Sequence, residues 1–510
     1  MTIDQNKALL QSGIETLGHF IGGQYVPATG PCSDIYNPAT GKVIKQVATA
    51  DEAVIDQAVL AASQAFPAWQ QTSPANRARI MFRFRELLEQ HADPIVEIIT
   101  LEHGKTLDDA RGEFNRGVEI VEYACAAPEL LKGEHSKRVA TDIDSWSEFA
   151  ALGVVAGITP FNFPVMVPMW MYPMALICGN TFILKPSEKD PGASLYIARL
   201  LQQAGLPDGV FNVVNGGKQA VDALLAHKQV AAVSFVGSTP VAEYIYQTGT
   251  RHGKRVQALG GAKNHAVVMP DADMDNVVKS LIGAAYGSCG ERCMAISVAV
   301  CIGDEIADEL VTRLAHEIRG FNIGSGTDKC NDLGPLISRE HLQKVSAYID
   351  SGLQEGADLV VDGRGLNVSG HEDGFFLGGC LFDHVLPEMK IYRDEIFGPV
   401  LCLVRVPTLQ QAIRLINAHE YGNGTCIFTR DGGIARLFSD HVEIGMVGIN
   451  VPLPVPAAYH SFGGWKRSLF GDLAIYGPDA IRFYTRRKTV TQRWPAVMAD
   501  KVQFSFPGNQ

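Results

Sequence analysis

"TFILKPSEKDPGASLYIARLLQQAGLPDGVFNVVNG", residues 181–216, predicts the fold class of this chain. It begins with a short apolar strand, "TFILKPS", continues with an amphipathic helix, "SLYIARLLQQAG", and ends with a second apolar strand, "VFNVVNG". Continuous apolar strands that alternate with helices are typical of a parallel sheet whose two faces are both covered. Ligands of such sheets bind beyond the carboxyl ends of the strands.

The same alternation extends in both directions from this stretch. It starts with the strand region "EFAALGVVAGITPF" (148–161) and ends with the strand "VAAVSFVGST" and the helix "PVAEYIYQTGT". A second alternating series begins after about residue 267 with "ISVAVCI" and "IADELVTRLAHEIRGF". Two α/β units are therefore expected, with a polar surface loop at 362–374 inside the second.

The flanking segments predict further elements. Residues 20–47 predict short strands joined by the turn "NPATGK", and helical periodicity from residue 51 to 130 predicts three helices. The second of these helices opens at Ser73 and Pro74 and closes near Gly104; the third covers about 107–130. The C-terminal "IRFYTRRKTVTQRW" alternates strongly, so it predicts a late strand that joins another sheet, with a neighbouring subunit as one candidate partner.

Composition and charge exclude several classes of function. The 510 residues carry a net charge of -11, which argues against nucleic acid as the main partner. Ten cysteines without a CxxC pair indicate reduced thiols, no metal site and a cytoplasmic location. The chain begins without a basic segment followed by an apolar core, so no secretory signal is expected. Apolar runs stay short of the length of a membrane span, so no membrane partner is expected.

"GERC", residues 290–293, places Arg292 directly before Cys293. A cation next to a thiol can lower the pKa of the thiol and produce a nucleophilic thiolate. The same cation can instead hold an anionic substrate. The non-functional alternative is a helix end with a buried cysteine and a surface arginine. Cys289, one turn earlier, is interpreted as a structural thiol.

Four other motifs each leave a functional and a structural interpretation open. "SFVGST" (234–239) ends a strand and opens a helix, whose N-terminal N–H groups and Gly237 suit a phosphate. "ILKPSE" (183–188) is either a ribose site or a solvated turn. In "TPFNFP" (159–164), Asn162 either donates to an oxyanion or bonds its own backbone. In "DEIFGPV" (394–400), Glu395 is either a ligand-binding or an ordinary loop carboxylate.

Together the motifs resemble one family. "TPFNFP", "LKPSE", "FVGST", "LGG", "GERC", "EIFGPV" and "FGGWKRS" occur in the order found in NAD-dependent aldehyde dehydrogenases, and the resemblance covers roughly residues 20–495. It implies an α/β aldehyde dehydrogenase fold with a Rossmann-like NAD-binding domain, a second α/β catalytic domain and a small oligomerisation β-flap. The implied boundaries are 20–137 and 157–262 for the NAD-binding domain, 263–475 for the catalytic domain, and 138–156 and 476–510 for the oligomerisation segment. A homodimer or homotetramer is also implied.

The resemblance assigns roles to individual residues. It makes Cys293 the nucleophile, and it builds the oxyanion hole from Asn162 and the backbone N–H of Cys293. Lys185 and Glu188 would hold the adenine ribose, and this carboxylate fits NAD better than NADP, whose extra phosphate it would repel. The other implied cofactor-binding residues are Ser238 at the pyrophosphate, Glu395 at the nicotinamide ribose, and Thr159, Phe161, Lys189, Gly237, Gly260 and Phe397.

Two residues depart from the common family pattern. Many members have "ELGG", whose glutamate activates water to hydrolyse the thioacyl enzyme, whereas this chain has Ala258 in that place. Ala242, in the helix after "GST", stands where glycine is common, so close approach of the cofactor is less assured there. Without the usual base, the thioacyl enzyme needs another acceptor, and a thiol such as coenzyme A is a good nucleophile near neutral pH.

"GERCMA", "GAKNH", "RGVEIVEYA" (116–124) and "NVPLPVPAAYHSFGGWKRSLFGD" (450–472) resemble the methylmalonate-semialdehyde dehydrogenase branch. That resemblance implies CoA-acylating oxidative decarboxylation of malonate or methylmalonate semialdehyde, with Arg116 and Arg292 holding the substrate carboxylate. One alternative is a hydrolytic aldehyde dehydrogenase that uses another base. A second is a non-catalytic NAD-binding descendant, against which the joint presence of Cys293, Asn162 and Glu395 argues.

Overall fold

The computed structural model describes residues 14–494, which form sixteen α-helices and twenty-three β-strands. The strands are β1 (Glu15–Leu17), β2 (His19–Ile21), β3 (Gln24–Val26), β4 (Cys32–Asn37), β5 (Lys42–Ala48), β6 (Glu134–Ala140), β7 (Ile143–Ala151), β8 (Val154–Ile158), β9 (Thr181–Lys185), β10 (Phe211–Val213), β11 (Val230–Val236), β12 (Arg255–Leu259), β13 (Asn264–Val268), β14 (Ile296–Ile302), β15 (Asp358–Val361), β16 (Cys380–Asp383), β17 (Val400–Val406), β18 (Tyr421–Gly422), β19 (Gly424–Phe428), β20 (Met446–Ile449), β21 (Trp465–Lys466), β22 (Leu469–Phe470) and β23 (Thr485–Arg493). The helices are α1 (Glu52–Gln71), α2 (Pro74–Gln90), α3 (Ala92–His103), α4 (Leu107–Ala124), α5 (Ala127–Leu130), α6 (Met166–Ile177), α7 (Gly192–Gln203), α8 (Lys218–Ala226), α9 (Thr239–Arg251), α10 (Met274–Tyr286), α11 (Asp304–Arg319), α12 (Arg339–Gln354), α13 (Lys390–Arg393), α14 (Leu409–Ala418), α15 (Gly432–His441) and α16 (Pro478–Tyr484).

The first large sheet has eight strands in the order β22-β12-β11-β8-β9-β10-β2-β3. The five strands from β12 to β10 pair in parallel, and β9 and β10 lie side by side with α7 as their crossover. Phe182 and Leu184 point into one hydrophobic cluster and Ile183 into the other. Both faces of the sheet are therefore covered, which confirms the prediction from residues 181–216.

The second large sheet has seven strands in the order β15-β16-β17-β14-β13-β19-β20. All neighbouring pairs are parallel except β15 and β16. Val298 and Val300 of β14 face one cluster while Ala299 and Cys301 face the other. The second α/β unit predicted after residue 267 is thus confirmed.

A third sheet of β23, β7 and β6 is antiparallel. Its late strand confirms that the C-terminal segment joins another sheet, and its partner here is β7 of the same chain, with Thr485 opposite Ala151. The "IRFY" half of the predicted strand is instead the end of α16. Residues 495–510 of the predicted oligomerisation segment lie outside the described residues, and the domain boundaries themselves stay a prediction.

Two of the predicted N-terminal helices are interrupted, which corrects their expected lengths. The helix expected from Ser73 to Gly104 divides at His91, because Pro94 has no N–H to donate to the carbonyl of Gln90. Pro128 likewise cannot donate to the last residue of α4, so the helix expected to reach residue 130 ends early and a short α5 follows. Among residues 14–494, none of the helices combines the length and apolarity that a membrane crossing requires.

Candidate active site

The loop before β14 carries Cys293 in a constrained backbone. A 3-10 turn, Gly287–Gly290, follows α10, and Ser288, Cys289 and Gly290 have φ angles of 51°, 53° and 72°. A Cβ on Gly290 would lie 2.2 Å from the carbonyl oxygen of Gly398, so this position accepts only glycine. Cys289 is 1% exposed, and burial raises the pKa of its thiol well above the usual value. These observations suit a structural thiol.

Two asparagines hold the backbone of Cys293 from behind. The Nδ2 atoms of Asn264 and Asn423 both donate to the carbonyl oxygen of Cys293, at 2.9 and 3.0 Å. Asn264 Oδ1 in turn accepts from the N–H of Gly424, so its amide orientation is fixed. Sequence reasoning did not assign either residue a role. Asn264 lies in the quoted "GAKNH", whereas Asn423 carried no recognisable signal.

Asn162 lies in the turn between β8 and α6 and is 3% exposed. Its Nδ2 donates to the carbonyl oxygen of Glu291 at 3.0 Å, two residues before Cys293. The amide therefore reaches across to the cysteine loop, and the alternative of a turn asparagine that bonds its own backbone does not describe it. One N–H of the amide stays available for an oxyanion at Cys293.

One pocket brings the predicted nucleophile and both predicted arginines together. It has a volume of about 230 Å³ and is lined by Cys293, Arg116 and Arg292. Phe163, Trp170 and other apolar side chains form much of the rest of its wall. The complete lining is Asp108, Asp109, Gly112, Glu113, Arg116, Phe163, Met166, Trp170, Arg292, Cys293, Met294, Leu453, Val455 and Phe462.

Each arginine of this pocket has a carboxylate partner on α4. Arg292 Nη2 donates to Asp109 Oδ1, and the other carboxylate oxygen of Asp109 accepts from the N–H of Ser288 at 2.9 Å. Arg116 donates to Glu119 Oε2 at 2.8 Å and to the carbonyl oxygen of Val455 at 2.9 Å. The side chain of Arg292 is 19% exposed and that of Arg116 is 37% exposed. Asp109 and Glu119 were not identified from the sequence.

The thiol of Cys293 is not activated in this state. Burial, followed by the negative charge of Glu395, raises the pKa of Cys293 to about 12, and the backbone N–H groups and Arg292 oppose this only weakly. Arg292 lowers the pKa of Cys293, but burial and Glu395 outweigh it, so the first hypothesis for Arg292, a cation that generates a thiolate, describes a minor effect. Binding of an anionic substrate is the role that its place in the pocket favours.

A second cavity is also lined by Cys293 and Arg292, together with Glu395 and Phe397. Glu395 Oε1 accepts from the N–H of Ala262 at 2.9 Å, and a Cβ on Gly261 would lie 2.6 Å from Glu395 Oε2. Phe397 packs edge-on against Phe161, with ring centroids 6.0 Å apart. Glu395 is thus fixed in the cavity that Cys293 and Arg292 also line.

Lys185 and Glu188 lie at the carboxyl end of β9. Lys185 Nζ donates to the carbonyl oxygen of Gly216 at 3.0 Å and lies 3.4 Å from Glu188 Oε2. The side chain of Glu188 is 43% exposed, so its carboxylate is accessible to a ligand. Lys189 Nζ lies 5.5 Å from the ring centroid of Phe161, which connects this end of the sheet to the cavity beside Cys293.

Gly237 and Ser238 directly follow β11, and α9 begins at Thr239. Ser238 is the N-cap of α9, but its side chain makes no capping hydrogen bond, so the hydroxyl and the first N–H groups suit a phosphate. Ala242 is fully buried in a hydrophobic cluster, so its methyl group packs into the core.

Two other observations fit a dinucleotide along this edge. The hydroxyl of Thr159, at the end of β8, is buried and has no hydrogen-bond partner within residues 14–494. A Cβ on Gly260 would lie 2.7 Å from the carbonyl oxygen of Arg467 and 3.1 Å from the hydroxyl of Thr239, so the chain packs tightly against the start of α9 there. Thr159, Lys185, Glu188, Gly237 and Ser238 thus share the carboxyl edge of the first sheet, whereas Glu395 and Phe397 precede β17 of the second. The contacts of these residues with a cofactor stay a prediction.

Comparison with known proteins agrees with this arrangement. The aldehyde dehydrogenase family model matches residues 25–490. A malonate-semialdehyde dehydrogenase of Pseudomonas aeruginosa is 64% identical over 493 residues, which cover 96% of this chain and 99% of the relative. The crystal structure of a methylmalonate-semialdehyde dehydrogenase from Oceanimonas doudoroffii is similar, with a TM-score of 0.94, 65% identity and coverage of 95% of this chain and 99% of that chain.

A crystal structure from Sinorhizobium meliloti, named for methylmalonate-semialdehyde dehydrogenase and complexed with NAD, is 52% identical with a TM-score of 0.94. The similarity covers 96% of this chain and 100% of that chain. The motifs, the two α/β units and the full-length similarity lead to the same assignment. The chain belongs to the aldehyde dehydrogenase family.

Proposed function

We propose that this chain is an NAD-dependent, CoA-acylating dehydrogenase that converts malonate semialdehyde or methylmalonate semialdehyde into acetyl-CoA or propionyl-CoA and CO2. The observation that carries the proposal is the single pocket in which Cys293, Arg116 and Arg292 meet. Relatives named for these two substrates, at 64% and 65% identity, support the same substrate class.

The arginines orient the substrate. A carboxylate near Arg292 and Arg116 receives charge-assisted hydrogen bonds from two guanidinium groups, and this places the aldehyde carbon at Cys293. The thiol of Cys293 loses its proton to solvent, and its Sγ atom then attacks the carbonyl carbon. The free N–H of Asn162 Nδ2 and the backbone N–H of Cys293 donate to the oxyanion that forms.

The residues at the carboxyl edge of the first sheet would hold the dinucleotide. Glu395 would bind the ribose next to the nicotinamide, Ser238 the pyrophosphate, and Lys185 with Glu188 the second ribose. NAD, when bound there, accepts a hydride from the carbon attached to Cys293. Collapse of the oxyanion then leaves a thioester on the cysteine.

The acyl group on Cys293 can pass to water or to coenzyme A, and the residues of this chain favour coenzyme A. The carboxylate lies β to the thioester carbonyl, so it leaves as CO2 and its bonding electrons pass to the neighbouring carbon, which takes up a proton. Ala258 is fully buried in a hydrophobic cluster and supplies no base for water. The thiolate of coenzyme A therefore takes the acyl group, and Cys293 is released as the leaving thiolate.

We also propose a reducing, cytoplasmic setting and a homodimer or homotetramer. All ten cysteines fall within the described residues and none forms a disulfide. Most side chains of β6 and β23 are exposed. A second subunit that packs on these strands would cover them. Sedimentation velocity of the purified protein measures the oligomeric state, and a monomer at micromolar concentration would contradict this part.

The deciding experiment measures NADH and acyl products from malonate semialdehyde with and without coenzyme A. With coenzyme A, steady NADH formation should accompany acetyl-CoA in equal amounts. Without it, NADH should appear as a burst of about one per active site and then slow markedly. Steady turnover to a free acid without any thiol would contradict the proposal and support the hydrolytic alternative.

A further inference from the structure

A buried ion pair lies directly beneath the turn that carries Asn162. Lys105 Nζ and Glu113 Oε2 are 2.8 Å apart, and their side chains are 1% and 0% exposed. Neither residue contacts the thiol, and the mechanism above assigns them no role. A buried ion pair is a weak source of stability, since the cost of desolvation offsets much of the attraction. The contacts of this pair therefore need another explanation.

Both members of the pair bind the backbone of the same turn. Lys105 Nζ donates to the carbonyl oxygen of Asn162 at 2.6 Å and lies 4.5 Å from the ring centroid of Phe163. Glu113 Oε1 accepts from the N–H groups of Val165 and Met166 at 2.8 and 3.1 Å. These N–H groups open α6, whose N-cap has no side-chain hydrogen bond of its own.

We infer that Lys105 and Glu113 are positioning residues that fix Asn162 for oxyanion stabilisation. The lysine holds the peptide of Asn162 from one side, and the glutamate holds the following helix start from the other. Only Phe163 and Pro164 lie between these two anchors, so the anchors hold both ends of a very short segment. The side-chain amide of Asn162 thereby reaches the carbonyl oxygen of Glu291, two residues before Cys293.

The effect should be a loss of rate without a change of substrate preference. Displacing a catalytic group by about 1 Å costs roughly 100-fold in rate, and Glu113→Gln keeps the shape while removing the charge that holds Lys105. We expect the NADH burst rate per active site to fall roughly 10- to 100-fold, by the same factor for propanal and malonate semialdehyde. Because propanal without coenzyme A suffices, the result does not depend on the proposed substrate or acceptor.

The control is Glu122→Gln, the same substitution on the opposite face of α4, where Glu122 is exposed and paired with Arg85. Its burst rate should equal that of the wild type. Glu113→Asp keeps the charge but shortens the reach to α6, so it should lose rate in the same direction and to a smaller extent. It also tests the inference if Glu113→Gln does not fold.

A double-mutant cycle separates positioning from general destabilisation. Asn162→Ala removes the donor, so adding Glu113→Gln to it should lower the burst rate by less than about threefold. The burst amplitude counts intact active sites, so unfolded protein does not enter the rate. If the two losses multiply, or if Glu113→Asp and Glu113→Gln both keep the wild-type rate, Lys105 and Glu113 do not position Asn162.

Discussion

Replacing Arg292 by glutamine tests whether the pocket recognises a carboxylate. The substitution removes the guanidinium that lines the pocket next to Cys293 and leaves Asp109 bonded to the N–H of Ser288 alone. Malonate semialdehyde should then lose both a bidentate partner and the charge that offsets Asp109. Propanal carries no carboxylate, so its kcat/KM should change little.

The exposure of the two arginines sets different magnitudes for them. Removing one partner of a buried, hydrogen-bonded charge pair costs roughly 2 to 5 kcal/mol. The side chain of Arg292 is 19% exposed, so we expect the lower part of that range, about 2 to 3.5 kcal/mol. This corresponds to a loss of roughly 30- to 400-fold in kcat/KM. Arg116 is 37% exposed, and for it we expect about 1 kcal/mol, roughly fivefold.

The assay compares kcat/KM for malonate semialdehyde and propanal in wild type, Arg292→Gln, Arg116→Gln and Arg292→Lys. Lysine keeps the charge but loses the planar fork, so it should restore only part of the activity on the acid. In Arg292→Gln, activity on the acid falls both because the guanidinium donors are lost and because the charge of Asp109 now repels the substrate carboxylate. The double variant Arg292→Gln/Asp109→Asn removes this repulsion, so it should recover only that part of the lost kcat/KM. Equal losses on both aldehydes across the series would refute the carboxylate clamp.

Three other predictions concern the nucleophile and its surroundings. Cys293→Ala should abolish NADH formation but keep NAD binding in calorimetric titration, and residual full turnover would assign the nucleophile elsewhere. Because burial and Glu395 raise the pKa of Cys293 to about 12, iodoacetamide labelling of its peptide in cofactor-free enzyme should rise about tenfold per pH unit past pH 9; a plateau near pH 8 would contradict this. Burial raises the pKa of Glu291 from 4.5 to about 8, so the folded wild type holds a proton that the unfolded chain has lost, and its stability falls as pH rises through that window. The glutamine in Glu291→Gln does not titrate, so the variant does not lose stability in this way. The Tm of the variant minus that of the wild type, measured by calorimetry, should therefore increase from pH 5 to pH 8, and a constant difference would contradict the raised pKa of Glu291.

The two large sheets were predictable because their strands are apolar on both faces. Strands such as β9 and β14 are continuous hydrophobic runs bounded by turns, and such runs have few other stable arrangements. The short edge strands were not predictable, since β22 has two residues and joins β12 from more than 200 positions away. Strands of that length carry no periodicity, and their pairing depends on the finished sheet.

The site was predictable where the residue type itself is unusual in its surroundings. Cys293, Asn162 and Glu395 occur in motifs with distinctive neighbours. The structure places Cys293 and Glu395 in one cavity and bonds the amide of Asn162 to the carbonyl oxygen of Glu291, two residues before Cys293. The residues that hold them were missed because their types are ordinary. Asp109 lies 183 positions from Arg292, and Asn423 lies 130 positions from Cys293. A single sequence has no signal for such contacts.

Arg292 and Cys293 are neighbours in the sequence, yet the arginine has only a small effect on the pKa of the thiol. A cation next to a thiol lowers the pKa of the thiol only if its charge is free to act on the sulfur. Here burial raises the pKa of Cys293 most and the charge of Glu395 raises it further, while Arg292, which is paired with Asp109 of α4, is the smallest of the contributions that lower it. The pKa of Cys293 is therefore raised even though the next residue is an arginine. Since the same guanidinium lines the pocket that the aldehyde would enter, its position is explained by recognition of a carboxylate rather than by activation of the nucleophile.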